Sequence, residues 1–330
     1  MSPKRKKLLT KILIIIVILF IALYLFTWTG NIRCSKVPGL CGIYWGSQSL
    51  ITGKSQPSVL IVYDPYDVDG LGNPYLLKKT LEDNKRVGVH PAIENINYLS
   101  PEKLNGYSLV IVEKAKQIST KNLETFMNYV SKGGRLIWIG DAGTEISKNE
   151  DKLLTTGDIE GTYDSNIIGG WARLNNDNYM IRFDEFLEVR YITTYCQIKE
   201  CIEKEYKVPG YNNQTIIIKY PDHINGKLVP SSKHPLVYAL KDYLPTKDDF
   251  AIVELLRPVV TPLKLDFGSN LYNNIDKDVS FGQNGVFPLI VVSNSNRVVY
   301  YALPPEYLIE EDDETGYFSI IENMISGMLK

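Results

Sequence analysis

The sequence predicts an α/β protein with a doubly wound, mostly parallel sheet, an N-terminal transmembrane helix and an irregular insertion. Three observations predict this fold class. Short apolar runs alternate with helical patterns from Ser58 onward, which is typical of parallel sheets. A long uncharged apolar run lies near the N-terminus. The alternation loosens after Glu145, where RFDEFLEVRYI predicts a short helix running into a strand, and residues 193–232 are polar and irregular.

Composition sets the limits of what this chain can be. The 330 residues are 44% hydrophobic and 22% charged, which is enough apolar material for a sizeable core. The formal net charge of −2 lacks the basic excess of a nucleic-acid-binding surface, so we expect no nucleic-acid partner.

The N-terminal run predicts a membrane anchor. No charged residue occurs from Ile12 to Trp28, and a bilayer core is crossed by about 20 apolar residues. Four basic residues, Lys4 to Lys7, precede Leu8, where the span can begin, and by the positive-inside rule they keep the N-terminus in the cytoplasm. We therefore expect a basic cytoplasmic tail at 1–7, a transmembrane signal anchor at 8–28, a juxtamembrane tether at 29–57 and an ectodomain at 58–330. The predicted location is the cell membrane, single-pass, with the bulk of the chain extracytoplasmic. A cleaved signal peptide is the alternative, but no small-residue cleavage site follows.

Four cysteines occur in two close pairs, Cys34 with Cys41 and Cys196 with Cys201. Close pairs of even number favour two small-loop disulfides in an oxidising compartment, with free thiols as the alternative. The triplet Asn-Gln-Thr that begins at Asn213 is a glycosylation sequon.

Strands and helices alternate along the first half of the ectodomain. The predicted strands are SVLIVYD, VGVHPAIENI, YSLVIVEK and RLIWIGD, and the helices are NPYLLKKTLEDN and STKNLETFMNYVSKGG. This alternation predicts a parallel sheet with right-handed crossovers. Later in the chain, FPLIVVSNSNRVVYY predicts a hairpin and YFSIIENMISGML a closing amphipathic helix.

The order of these elements resembles the class I glutamine amidotransferase-like fold, in its broad and often non-catalytic branch. The segments that carry the resemblance are SVLIVYD, LNGYSLVIVEK, STKNLETFMNYVSKGGRLIWIGD, KHPLVYAL and RVVYYALPPE. The resemblance covers about residues 58–145 and 233–330 and implies a flavodoxin-like topology. The insertion at about 150–232 lies outside it.

The resemblance also bears on catalysis. Catalytic members carry a nucleophilic Cys in a Gly-x-Cys-x-Gly turn, and this chain has Asp141 at that place, between Gly140 and Ala142. The usual His-x-Glu is absent, because Pro235 and Leu236 follow His234. Without a thiolate nothing attacks the amide of glutamine, so the resemblance implies a domain without glutaminase chemistry.

Acidic residues follow two of the predicted strands. Asp64, Asp67 and Asp69 come after the first strand, and Asp141 and Glu145 come after the fourth. Strand ends of a doubly wound sheet face one crevice, where carboxylates could hold Ca²⁺ or Mg²⁺. The alternative is a solvated loop in which Asp forms turns and caps a helix.

These observations predict a membrane-anchored extracytoplasmic binding or scaffold module of the cell envelope, without catalysis. Its partner would be an envelope protein or a glycan. The first alternative is a metal-assisted hydrolase that acts on glycans through the acidic crevice. The second is an accessory subunit of a membrane transporter, which follows from fold analogy alone.

Overall fold

The chain is described by a computed structural model and comprises two compact units among its described residues, which are given by range below. One unit contains residues from 1–56 and 80–89, and the other contains residues from 57–79 and 90–330. The described ranges are 3–28, 43–47, 57–83, 87–147, 170–174, 179–198, 201–207, 215–221, 226–230, 233–238, 240–241, 244–246, 248–267, 285–293, 295–309 and 318–329.

The smaller unit contains helix α1 (Pro3–Trp28). The ring of Tyr24 packs against that of Tyr44 with centroids 5.6 Å apart. The Trp45 indole Nε1 donates a hydrogen bond of 3.0 Å to the carbonyl oxygen of Val87. These contacts join α1, a short helix at residues 43–47 and the chain segment before residue 90.

The predicted membrane span requires a correction. Among the residues that the structure describes, no helix has both the length and the apolarity that a membrane crossing needs. This finding overturns the predicted transmembrane signal anchor at 8–28. The single-span membrane partner and the single-pass extracytoplasmic localisation depended on that anchor and are overturned with it.

Besides α1 and the short helix at residues 43–47, six helices lie in the described part of the chain. They are α2 (Pro74–Glu82), α3 (Pro101–Asn105), α4 (Thr120–Ser131), α5 (Phe183–Leu187), α6 (Tyr195–Ile198) and α7 (Phe318–Leu329). The described strands are β1 (Val59–Tyr63), β2 (Ala92–Asn95), β3 (Leu109–Val112), β4 (Gln117–Ile118), β5 (Arg135–Ile139), β6 (Glu145–Ile146), β7 (Ala172–Leu174), β8 (Met180–Arg182), β9 (Val189–Thr194), β10 (Cys201–Lys207), β11 (Thr215–Pro221), β12 (Gly226–Pro230), β13 (Leu244–Thr246), β14 (Ala251–Leu255), β15 (Val260–Asp266), β16 (Val286–Val292) and β17 (Val298–Tyr301).

A nine-stranded sheet in the order β13-β12-β15-β16-β17-β5-β3-β1-β2 forms the centre of the larger unit. The strands from β17 to β2 pair in parallel. When these five strands are numbered 1 to 5 along the chain, they lie side by side in the sheet in the order 2-1-3-4-5. This is the flavodoxin-like order, with its switch point between β1 and β3. The fold is thus mixed α/β with a large central sheet.

Burial on both faces explains the composition of the parallel strands. All four residues of β3 are buried, as are the first four of β1 and the last four of β5. Strands that are covered by helices on both faces are expected to be continuous apolar runs, and these are. Helix α4 begins where the Ser119 hydroxyl accepts a hydrogen bond from the backbone N–H of Asn122, as an N-cap does.

The remaining strands of the sheet, from β13 to β16, differ from the prediction of a mostly parallel sheet. Strands β12, β13, β15 and β16 pair antiparallel, and β16 joins β17 through the predicted hairpin. The predicted insertion at about 150–232 is not irregular in its described part, because β12 belongs to the central sheet and β10 pairs with β11. A two-stranded ribbon such as β10–β11 needs no continuous apolar face, so the apolar pattern did not reveal it.

Candidate functional site

The carboxyl ends of the parallel strands place four acidic residues at one edge of the sheet. Asp64 follows β1, Glu113 follows β3, and Asp141 follows β5 after one glycine. Glu306 lies in a short 3-10 helix, Pro305–Leu308, that follows β17. In a doubly wound sheet this edge, at the switch point, is where ligands bind. It is therefore the candidate functional site of the chain.

The turn after β5 has the backbone geometry of a tight elbow. Gly140 has a φ of 63°, in the left-handed region that favours glycine. A Cβ at this position would lie 2.7 Å from the Cβ of Leu71, so the close approach also requires glycine. The Gly140 N–H donates to the Tyr301 carbonyl, and the Tyr300 hydroxyl donates to the Gly140 carbonyl. Neighbouring β17 thus fixes the elbow.

Asp141, at the tip of this elbow, has no solvent exposure. Its Oδ1 accepts a hydrogen bond of 2.8 Å from the backbone N–H of Leu71. Its Oδ2 lies 3.4 Å from the Nζ of Lys116, whose side chain is 12% exposed. Burial raises the pKa of Asp141 to about 6, against the opposing effects of Lys116 and the Leu71 N–H. The carboxylate therefore links the elbow to the loop after β1.

The acidic residues of that loop bind backbone groups. Asp64 Oδ1 accepts a hydrogen bond from the Tyr66 N–H at 3.0 Å. Asp67 accepts one from the Gly70 N–H and another from the Lys116 N–H, both at 2.7 Å. The carboxylates of Asp64 and Asp67 thus act as turn formers, which is the alternative that the sequence left open.

The five residues of the predicted acidic crevice are only partly brought together. Asp67 and Asp141 both contact Lys116, whereas Asp69 and Glu145 are exposed. Within the described ranges, no group of three or more His, Cys, Asp and Glu side chains is arranged to hold a metal ion. The Ca²⁺ or Mg²⁺ site stays a prediction.

Two apolar side chains point into solvent from the same loop. Tyr66 is 81% exposed and Val68 is 72% exposed. Lys114 supports the loop from below: its N–H donates to the Leu71 carbonyl, and its carbonyl accepts from the Asp64 N–H. Lys114 has a φ of 46°, a conformation that costs energy for a residue with a Cβ and that often marks functional sites.

Sequence reasoning missed two buried acids at this edge. Glu113 and Glu306 have no solvent exposure, and their carboxyls act on each other electrostatically. Glu113 follows an apolar strand directly, as Asp64 does, so its position in the strand pattern could have identified it. Glu306 could not be paired with it from sequence, because their contact depends on the sheet order.

Arg173, from the segment after the elbow, is fully buried and holds the elbow from the other side. Its guanidinium donates hydrogen bonds to the carbonyls of Ile118, Gly143, Glu145 and Gly170. The indoles of Trp138 and Trp171 both donate to the Ala142 carbonyl at 2.8 Å. The buried side chains of Arg173, Trp138 and Trp171 therefore hold the backbone of the elbow.

The remaining predicted sites lie elsewhere. Cys196 and Cys201 form the predicted disulfide. Cys34, Cys41 and Asn213 lie outside the described residues, so their predicted disulfide and glycosylation stay predictions. His234 is the histidine that the comparison with catalytic members concerned. Its Nδ1 accepts a hydrogen bond from the Leu236 N–H, and burial lowers its pKa.

Comparison with known proteins gives structural neighbours only. No protein-family description and no curated protein matches the sequence. A ThuA-like protein from Bacteroides uniformis is 13% identical, with 82% of this chain and 90% of that chain covered and a TM-score of 0.49. PurLQS from Thermotoga maritima is 14% identical, with 82% and 98% covered and a TM-score of 0.42.

A β-galactosidase from Rahnella sp. R3 is 12% identical, with a TM-score of 0.47. The match covers 88% of this chain but 34% of the β-galactosidase. These neighbours include proteins of the glutamine amidotransferase-like fold. Since every one of these TM-scores is below 0.5, the similarities carry no argument about activity, and the strand order of the chain itself supports the fold.

Proposed function

We propose that this chain is a non-catalytic binding module on an amidotransferase-like scaffold, and that the loop of residues 64–73 contacts its partner. The observation that carries the proposal is the state of Asp141. This residue stands where catalytic relatives of the fold place their nucleophile, yet it has no solvent exposure and both its oxygens face protein groups. A substrate has no access to it, so the elbow serves as structure.

The position of the loop supports a binding role. It begins at the carboxyl end of β1, beside the switch point where open α/β sheets bind their ligands. Tyr66 and Val68 project from it, while Asp64, Asp67 and Lys114 fix its backbone through hydrogen bonds. A loop whose backbone is already fixed loses less conformational entropy on binding than a flexible loop does, which favours affinity.

The chemistry of the loop favours a protein partner. Tyrosine is enriched at the energetic centres of protein interfaces, and the aliphatic Val68 offers a sugar little to hydrogen-bond. The exposed Asp69 beside these residues favours a partner with a basic rim. A glycan partner, which the sequence left open, is an outcome that the experiment below can return.

The experiment is a binding measurement on the full chain. Proteins captured from the source cells by the wild type are compared with those captured by the double variant Tyr66→Ala, Val68→Ser. The control is Tyr238→Ala, because Tyr238 is 48% exposed on a different element. The captured protein is then purified and titrated against each variant.

We expect the double variant to bind the purified partner at least tenfold more weakly and the control to bind as the wild type does. Tenfold is about 1.4 kcal/mol, a typical effect of truncating an interface tyrosine. Equal affinity of all three chains would contradict the proposal. If a sugar binds the wild type and no captured protein does, the partner is a glycan and not a protein.

No observation on the described residues favours the alternative hydrolase. Asp141 would need to reach a substrate, and Asp64 and Asp67 would need free oxygens for a metal. Asp141 is instead buried, and Asp64 Oδ1 and both oxygens of Asp67 accept the hydrogen bonds given above. The glycan hydrolase therefore stays an untested prediction, as does the accessory subunit of a transporter.

A further inference from the structure

Two carboxyl groups meet in the interior at the carboxyl edge of the sheet. Glu113 follows β3 and Glu306 follows β17, and neither side chain is exposed. The two carboxyls act on each other electrostatically, and they border two adjacent residues, Glu113 at Gly72 and Glu306 at Asn73. An ionised carboxylate has no hydrogen to donate, so the two groups can hydrogen-bond to each other only while one of them carries a proton.

The pair is connected to the end of the 64–73 loop. The Asn73 N–H donates a hydrogen bond of 2.7 Å to Glu306 Oε1. The Gly72 N–H donates one of 2.8 Å to the hydroxyl of Tyr307, the residue after Glu306. A Cβ on Gly72 would lie 2.9 Å from Glu113 Oε2, so the loop backbone lies directly on the pair.

The same contacts determine where helix α2 begins. Asn73 Oδ1 accepts a hydrogen bond of 3.0 Å from the Leu76 N–H, in the first turn of the helix. Asn73 is thus held by Glu306 through its backbone while its side chain caps α2. Movement of Glu306 would be transmitted to both the loop and the start of the helix.

Little in the surroundings could compensate two negative charges. Both oxygens of Glu113, Oε2 of Glu306 and Nδ2 of Asn73 are buried and have no hydrogen-bond partner among the described residues. Beyond burial, Glu306 opposes ionisation of Glu113, and Lys114 favours it. For Glu306, the Asn73 N–H and Glu113 favour ionisation, and Asp248 opposes it. The Tyr307 hydroxyl oxygen accepts from the Gly72 N–H, and burial together with Glu306, Glu113 and Asp141 raises the pKa of Tyr307.

We propose that Glu113 and Glu306 share one proton and form a pH-sensitive latch that holds Gly72 and Asn73 against the strand ends. When the shared proton is transferred to solvent, two buried negative charges face each other without a donor between them. Their repulsion separates the 3-10 helix after β17 from β3 and releases the end of the loop. This device does not depend on what the loop binds.

The sign of the pH effect follows from the burial of the pair. Burial is the main cause that raises the pKa of both carboxyls, to about 7 for Glu306 and well above its ordinary value for Glu113. The folded chain therefore keeps protons that the unfolded chain releases above its ordinary pKa of 4.5. The stabilising contribution is complete below pH 4.5 and is lost as the pH rises through about 7.

The first test follows hydrogen exchange of the Gly72 and Asn73 amides in the full chain from pH 5 to pH 9. After correction for base catalysis of exchange, we expect protection of both amides to fall at least tenfold across neutral pH. Protection that stays constant over this range would overturn the latch. This measurement needs only the wild type, so it decides even if variants fail to fold.

The second test uses Glu306→Gln. A glutamine keeps the oxygen that accepts from Asn73 and offers Glu113 a permanent N–H, so it imitates the protonated state at every pH. Between pH 5 and 7 the unfolding equilibrium constant of the wild type should rise with pH. In Glu306→Gln the factor by which it rises per pH unit should be about ten times smaller, because one proton no longer takes part. The matched control is Glu254→Gln, whose side chain is 61% exposed and should keep the wild-type slope.

An unchanged slope in Glu306→Gln would overturn the shared proton. If this variant does not fold, Glu113→Gln replaces it with the same expectation. If both variants lose the slope while the exchange of Gly72 and Asn73 stays constant, the pair titrates without acting on the loop, and the latch is also overturned.

Discussion

Gly140 and Gly133 both have positive φ angles, 63° and 102°, but they lie in different surroundings. A Cβ on Gly140 would lie 2.7 Å from Leu71 Cβ, whereas a Cβ on Gly133 would meet nothing within 4 Å. Gly140→Ala should therefore add a steric clash to the strain that both alanines share. We expect a loss of about 2–4 kcal/mol at Gly140 and about 1 kcal/mol at Gly133.

Urea unfolding of the two variants measures this difference, with Gly133→Ala as the control for backbone strain alone. Equal losses would show that Leu71 does not press on the elbow. In that case the close contact between the elbow and the 64–73 loop would be incorrect.

Asp141 gives a second prediction at this scale. Asp141→Ala leaves the buried Leu71 N–H without an acceptor and Lys116 without its partner, which should cost about 1–3 kcal/mol. Asp141→Asn keeps an acceptor for Leu71 and should lose less. Urea unfolding at pH 7 compares the two, with the exposed Asp69→Asn as control. An alanine variant as stable as the wild type would contradict the structural role.

Single residues also show what sequence could predict at the site. The elbow was predicted at Gly140 and Asp141 because a glycine turn directly follows an apolar strand. The Glu113–Glu306 pair was not predicted, since the partners of these residues come from distant parts of the chain. Asn73 and Glu306, for example, are 233 positions apart. No local pattern encodes a contact over that distance.

At the scale of elements, the disulfide between Cys196 and Cys201 joins α6 to β10. Its loop is short, with a sequence separation of 5, so it constrains the unfolded chain little. Replacing both cysteines by serine should cost about 2 kcal/mol or less. Thermal unfolding of the double variant, beside the wild type with and without reductant, checks this. A loss far above that value would mean that the disulfide holds the fold itself.

The elements of the parallel half could be predicted because burial on both faces makes each strand a continuous apolar run. Strands β12 and β15 of the antiparallel half have exposed and buried residues in mixed order, so their apolar pattern is weak. The prediction of a mostly parallel sheet failed there. The predicted membrane anchor failed at this scale too, because no described helix meets the requirements of a span.

For the whole molecule, three buried carboxyls lead us to expect that the stability of the fold depends on pH. Burial raises the pKa of Asp141 to about 6 and the pKa values of Asp249 and Glu306 to about 7. Each folded-state value lies above its unfolded value, so each contribution to stability is lost as pH rises from about 4 to 7. We expect the urea midpoint to fall steadily from pH 5 to pH 8. A midpoint that rises over this range would contradict the burial of these groups.

The central claim for the molecule is that its elbow is structural and its 64–73 loop binds. The most direct test measures the affinity of the purified partner for the wild type, for Asp141→Asn, and for the double variant Tyr66→Ala, Val68→Ser. We expect Asp141→Asn to bind the partner within about twofold of the wild-type affinity and the double variant to bind it at least tenfold more weakly. Loss of binding in Asp141→Asn, with the double variant unaffected and all chains folded, would contradict it and make the elbow the functional site.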